Sequence, residues 1–170
     1  NFTGTGSYTL STNLTVANDF TLNSSTLTAS SGTLTVGGDF ANISGTFSHN
    51  NGTLALNGTN QTISGSTTFN NFTKTTSSAD TLTFTASSTQ TIAGALTLQG
   101  TSGNLLTLVS TSPGTRWNIV NAGDAESVSY VDVQDSNNTG PTISATDSVN
   151  SGNNIGWLFS VAGQITVSGT

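Results

Sequence analysis

Three consecutive twenty-residue blocks of this chain align without a gap: LTVANDFTLNSSTLTASSGT (14–33), LTVGGDFANISGTFSHNNGT (34–53) and LALNGTNQTISGSTTFNNFT (54–73). Leu14, Leu34 and Leu54 share one column, and Val16, Val36 and Leu56 the next apolar one. Phe20 falls in line with Phe40, Leu27 with Phe47, and Thr33 with Thr53 and Thr73. A fourth copy runs from Leu82 to Ser102 with one extra residue. In it Leu82 and Phe84 repeat the Leu54/Leu56 pair, and Gln90-Thr-Ile-Ala-Gly94 repeats Gln61-Thr-Ile-Ser-Gly65. Residues 74–81 then read as an insertion between copies, carrying the only lysine, Lys74. A repeat of fixed period limits the fold to architectures in which like stacks on like.

Inside each copy the pattern is apolar–Thr–apolar, broken by Gly, Asn and Ser. Period-2 alternation describes strands with one buried and one wet face. Three short strands with turns fit into twenty residues, which is too few for a propeller blade and suits one coil of a β-solenoid. Coils would stack at the inter-strand spacing of about 4.8 Å. Seven or eight coils would make a rod roughly 35 Å long. The fold class expected is all-β: a right-handed parallel β-helix with coils of about twenty residues, the hand being taken from related folds. The alternative is an antiparallel β-sandwich, which also uses short strands but has no need of identical columns at fixed register.

Composition narrows the classes further. Thr, Ser, Asn and Gly make up more than half of the 170 residues, and charged residues only 6%, against roughly 25% in ordinary soluble domains. Two cations, Lys74 and Arg116, face eight acids, giving a net charge of −6. Such a chain cannot neutralise a phosphate backbone, so nucleic acid is not an expected partner. No apolar run approaches the roughly 20 residues of a membrane span, so membrane insertion is not expected either. The absence of cysteine rules out disulfides, thiolate metal sites and a cysteine nucleophile. The expected layout is one solenoid domain over 1–159, with its clearest repeats at 14–73 and 82–102 and divergent coils over 104–159. Residues 160–170, ending Gln164-Ile-Thr-Val-Ser-Gly-Thr170, read as the start of a linker, a next module or a terminal strand.

The C-terminal third reads Trp117-Asn-Ile-Val, Val128-Ser-Tyr-Val-Asp-Val-Gln-Asp-Ser136, Ile143-Ser-Ala and Asn150-Ser-Gly-Asn-Asn-Ile-Gly-Trp-Leu-Phe159. With the GTF…GTL…NGTNQTISGSTTFNNFT stretch upstream, it resembles modules of large secreted or surface-anchored bacterial proteins. Those carry parallel β-helix stretches of the pectin-lyase-like kind, and many are regarded as adhesins or surface fibres. The resemblance covers most of residues 34–159. It implies an architecture and an extracellular or cell-surface location, and no particular chemistry.

Enzymes on such folds need clustered carboxylates with a cation or metal. Five of the eight acids lie between 124 and 147: Asp124, Glu126, Asp132, Asp135 and Asp147. On a strand Asp132 and Asp135 would face opposite ways, which argues against a paired-carboxylate site. The expectation is a solvated acidic surface with Arg116 as local counter-ion and no catalytic residues. Asp124 and Glu126 are the candidates for a weak calcium site, the one cofactor considered. Asp19 and Asp39 share a column and read as a solvated turn, and His49 as an exposed turn residue.

Two further features point to surface binding. Trp117 and Trp157 stand two repeat lengths apart, which would put them on one side of the rod, where exposed aromatics could stack on sugars. The plainer alternative has both in the core or capping it. If the leucine columns point inward, Thr33, Thr35, Thr53, Thr81 and Thr83 point outward. A Thr-x-Thr face of that kind is the arrangement seen in ice-binding proteins, although Thr is also a good polar strand former. The expected function is a non-enzymatic structural rod, partnered by neighbouring modules or by copies of itself stacked end to end. A binding module for glycans or ice is the alternative.

Overall fold

The computed structural model describes residues 1–160, so the expectation for the C-terminal strand or linker lies outside the described residues except for Ser160. Each circuit of the chain lays down a strand on each of up to three faces. The first face is an eight-stranded sheet running from Phe2–Thr3 through Phe20–Asn23, Phe40–Asn42, Gln61–Ser64, Asp80–Phe84, Leu106–Ser110 and Val131–Gln134 to Val149–Gly152. The third face is a second eight-stranded sheet, from Leu14–Val16 through Thr33–Val36, Thr53–Leu56, Asn71–Thr75, Ala95–Gln99, Ala125–Ser129 and Ile143–Thr146 to Trp157–Ser160. The second face is split into sheets of three and four strands, broken between Thr46–Ser48 and Thr67–Phe69. Strands pair in parallel throughout these sheets, for example Leu34 beside both Leu14 and Leu54. The molecule is a parallel β-helix, and the sandwich alternative is excluded.

The period-2 pattern does what elementary sterics require. Leu34, Val36, Leu54 and Leu56 are buried while Thr33, Thr35 and Thr53 alternate outward. Inside, aromatic rings run in ladders. Phe20 and Phe40 stack with centroids 5.0 Å apart and planes 6° apart, and Phe40 meets Phe69 edge-on at 5.3 Å. Higher up, Phe84 stacks on Trp117 at 3.9 Å. Such contacts add about 0.5–1.5 kcal/mol each beyond the area they bury.

Corners are turned by residues that accept positive φ. Asn50, Asn51, Asn60, Asp124, Asp135, Asp147 and Asn153 all lie in the left-handed region, which Asn and Asp tolerate better than other side chains. Gly65 is required at its corner twice over: its φ is +79°, and a Cβ there would sit 1.9 Å from the Asn42 carbonyl oxygen.

The register departs from the sequence expectation after residue 56. Phe40 lies beside Ile63, so the coil lengthens to 23 residues there. Phe72 and Lys74, not Leu82 and Phe84, stack on Leu54 and Leu56. Leu82 and Phe84 belong to the first face, above Gln61 and Ile63. Gln90 lies on the second face beside Thr67, so the two Gln-Thr-Ile motifs are not stacked copies. Thr73 likewise pairs with Ala55, two positions from the column expected for it. The supposed insertion shrinks to 76–79, because Asn71–Thr75 and Asp80–Phe84 are both strands of the stack.

Candidate functional site

The outer faces and the acidic residues were the places to seek chemistry, and the interior adds a third. On the third face the outward threonines form a column through Thr15, Thr35, Ala55, Thr73, Thr97 and Ser127. Thr33 and Thr53 form a shorter column beside it. Thr81 and Thr83 do not join this array. They lie on the first face, where Thr83 follows Thr62 and Thr81 precedes Thr107. The polar array is thus real but interrupted by Ala55, and it continues through Thr73 and Thr97 rather than through the residues the repeat had suggested.

The tryptophans do not form an exposed pair. Trp117 is fully buried on the second face, and its indole N–H donates to the Gln134 carbonyl at 3.1 Å. Trp157 is half-buried on the third face, packs edge-on against Trp117 at 6.4 Å and donates to Ser136 Oγ at 3.0 Å. A ring with no accessible face cannot stack on a sugar, so Trp117 is a core residue. The two rings meet across the interior instead of sharing one side of the rod.

The acids are engaged in holding coils together. Asp19 Oδ1 accepts the Asp39 amide N–H at 2.9 Å, and Asp39 Oδ1 accepts that of Thr62 at 2.7 Å. Glu126 spans two partners, with Oε1 accepting the Ser144 N–H at 2.6 Å and Oε2 accepting Asn121 Nδ2 at 3.1 Å. Asp132 takes the Ser151 hydroxyl at 2.6 Å. Asp135 is 3% exposed, where the solvated-surface expectation had put it in water. Its Oδ2 accepts the Gly114 N–H at 2.9 Å and its Oδ1 the Asn153 side-chain amide at 2.6 Å. Arg116 donates to the Asn153 carbonyl at 2.8 Å, so it braces a turn. Asp124 is exposed on a turn at φ 52°. Among the described residues no three His, Cys, Asp or Glu side chains gather as a metal centre. His49 is half-buried, its Nδ1 accepting the Asn51 N–H at 3.1 Å.

The residue that sequence reasoning missed is Lys74. It is 0% exposed and its Nζ lies 2.7 Å from Asp80 Oδ2. The ammonium also donates to Gln61 Oε1 at 3.0 Å and to the Gly58 carbonyl. Gln61 in turn donates to the carbonyls of Val36, at 3.0 Å, and Gly38. Asp80 Oδ1 accepts two backbone N–H groups, from Asn60 and Thr81, each at 2.7 Å. Burial pushes the Asp80 carboxyl up, but those N–H groups and the Lys74 ammonium together outweigh it and hold the carboxyl below its ordinary value. The signal was in the phase of the pattern: Lys74 follows Phe72 by two residues, and Asp80 precedes Leu82 by two, so both fall on inward positions.

No protein-family model, curated protein or solved structure matches the chain.

Proposed function

We propose that this chain is a non-enzymatic structural rod module of an extracellular bacterial surface protein, adhesin or fibre subunit. The observation that carries the reading is where the polar chemistry goes. Glu126, Asp39, Asp80 and Asp135 each bond across the coil stack, and the interior is filled by stacked side chains. Carboxylates committed to structural N–H groups are poor general acids and bases, because the oxygens that would exchange a proton are already occupied and the side chain is fixed. Among the described residues the end strands of the two long sheets, Phe2–Thr3 and Trp157–Ser160, are each paired on one side only, an arrangement that favours end-to-end pairing with neighbouring modules or further copies.

Concentration-dependent sedimentation and small-angle scattering test the rod and its self-association. An elongated particle that lengthens in steps along its axis is the expected outcome. A particle that stays monomeric at every concentration removes self-stacking, and release of products from polysaccharides removes the non-enzymatic reading.

A second reading rests on the Thr35, Thr73 and Thr97 column and the Thr33/Thr53 pair: a flat array of this kind suits a repetitive ligand such as ice or a glycan. Thermal hysteresis or saturable binding on a glycan array, abolished by Thr35→Lys, would favour it over the purely mechanical role. Calcium at Asp124 and Glu126 is tested by melting with and without the ion, where an unchanged midpoint removes it.

A further inference from the structure

We propose that Lys74 and Asp80 become joined by an intramolecular isopeptide bond, formed by the fold itself in the interior of the rod. The two side chains are each 1% exposed and their reacting groups are in contact, Nζ to Oδ2 at 2.7 Å. The surroundings differ at the two carboxylate oxygens, and the difference suits the reaction. Oδ1 is held by the two backbone N–H groups of Asn60 and Thr81, so charge gathering on it during attack at Cγ meets donors already in place. Oδ2 faces Lys74 and takes no other hydrogen bond among the described residues. It can therefore leave without stranding a donor. Nζ also donates to Gln61 Oε1 and the Gly58 carbonyl, either of which offers an acceptor for the one N–H that the product amide keeps.

The proton balance closes within the pair. One proton passes from the ammonium to Oδ2, freeing the nitrogen lone pair to attack Cγ. The Nζ–Cγ bond forms, a second proton follows to Oδ2, and the Cγ–Oδ2 bond breaks to release water. The third proton remains on the amide nitrogen. No oxidant, reductant or outside acid is consumed. Two effects favour the product. Fixed juxtaposition raises the effective concentration of the amine to the order of 10⁵ M or more, and a neutral amide replaces two charges buried at a desolvation cost. The same hydrogen bonds that keep Asp80 ionised slow the first proton transfer, so the bond accumulates after folding. The link would tie the third face of one coil to the first face of the next, a covalent staple in a chain without cysteine. It does not depend on what the outer faces bind.

Intact-mass spectrometry of the folded full chain, followed by fragment mapping, tests it. The expected result is a mass one water below that of the linear sequence, with a branched fragment joining Lys74 to Asp80 and with Lys74→Arg at the full linear mass. A wild-type chain still at linear mass after prolonged incubation in the folded state overturns the proposal. So does a one-water loss that maps elsewhere, such as an aspartyl succinimide at Asp147-Ser148. The wild-type fragment map decides the matter even if the Lys74→Arg variant fails to fold.

Discussion

Lys74 occupies a column that is otherwise apolar, with Leu56 and Val36 on one side and Leu98 and Val128 on the other. A charge there is tolerated only because Asp80, Gln61 and the Gly58 carbonyl surround it. Removing one partner leaves the other charge stranded. Lys74→Met is therefore expected to be less stable than the double variant Lys74→Met/Asp80→Asn by about 3 kcal/mol in denaturant unfolding. The neutral Asn keeps an oxygen for the Asn60 and Thr81 N–H groups. Its amide N–H groups have Gln61 Oε1 and the Gly58 carbonyl, the former Lys74 acceptors, nearby, so the stranded charge is the main difference. Equal midpoints would mean that Asp80 is hydrated. Acid adds a second reading of the same group. Its folded value lies below its unfolded one, about 3.9. The stability it contributes is present above that unfolded value and is lost as pH falls through the lower folded value. Freshly refolded protein should lose this component below about pH 4, whereas the double variant, and protein in which the pair has condensed, should show no such step in urea midpoints.

At the scale of strands and corners, side-chain oxygens supply the hydrogen bonds that the ladder loses where the chain bends. Asn13 accepts the Thr33 N–H, Asp19 that of Asp39, Asp39 that of Thr62, and Asn71 that of Ala95. This is N-cap chemistry repeated up the stack, and its magnitude should be similar. Asp39→Ala should cost about 1 kcal/mol, while Asp39→Asn, which keeps the acceptor, should change the unfolding midpoint little. A matched loss in both variants would mean that charge, rather than the acceptor, matters. In the ladder, Phe40→Ala removes a ring packed on Phe20 and Phe69 and should cost about 3–5 kcal/mol. The first columns, Leu14 to Leu54 and Phe20 to Phe40, were legible because two coils share a length and repeat residue for residue. Beyond Leu56 that signal misled. The coil gained residues, and Gln61-Thr-Ile and Gln90-Thr-Ile answer the same local need on different faces: both glutamines are buried and donate to a carbonyl of another coil. Local similarity reports a strand's environment, and only the coil length reports its face. Lys74 and the buried Asp135 are hard to read for a related reason: charge ordinarily marks solvent, and only the alternation continuing past Phe72 and Val133 points them inward.

Across the whole molecule, low charge follows from the architecture. Stacking puts equivalent residues of successive coils about 4.8 Å apart, so a charged column would repel itself unless each charge met a donor. The acids that remain largely do so. The same stacking lines up like residues in columns on the outer faces and in the interior, the regularity on which the proposed spacer role rests. Inter-strand nuclear Overhauser contacts read this stack directly. Stacked coils predict cross-peaks linking Leu34 to both Leu14 and Leu54, Phe72 to Leu54 and Leu96, and Leu82 to Gln61 and Leu108. Cross-peaks that place Leu82 and Phe84 against Leu54 and Leu56, or antiparallel pairing among these strands, would contradict it.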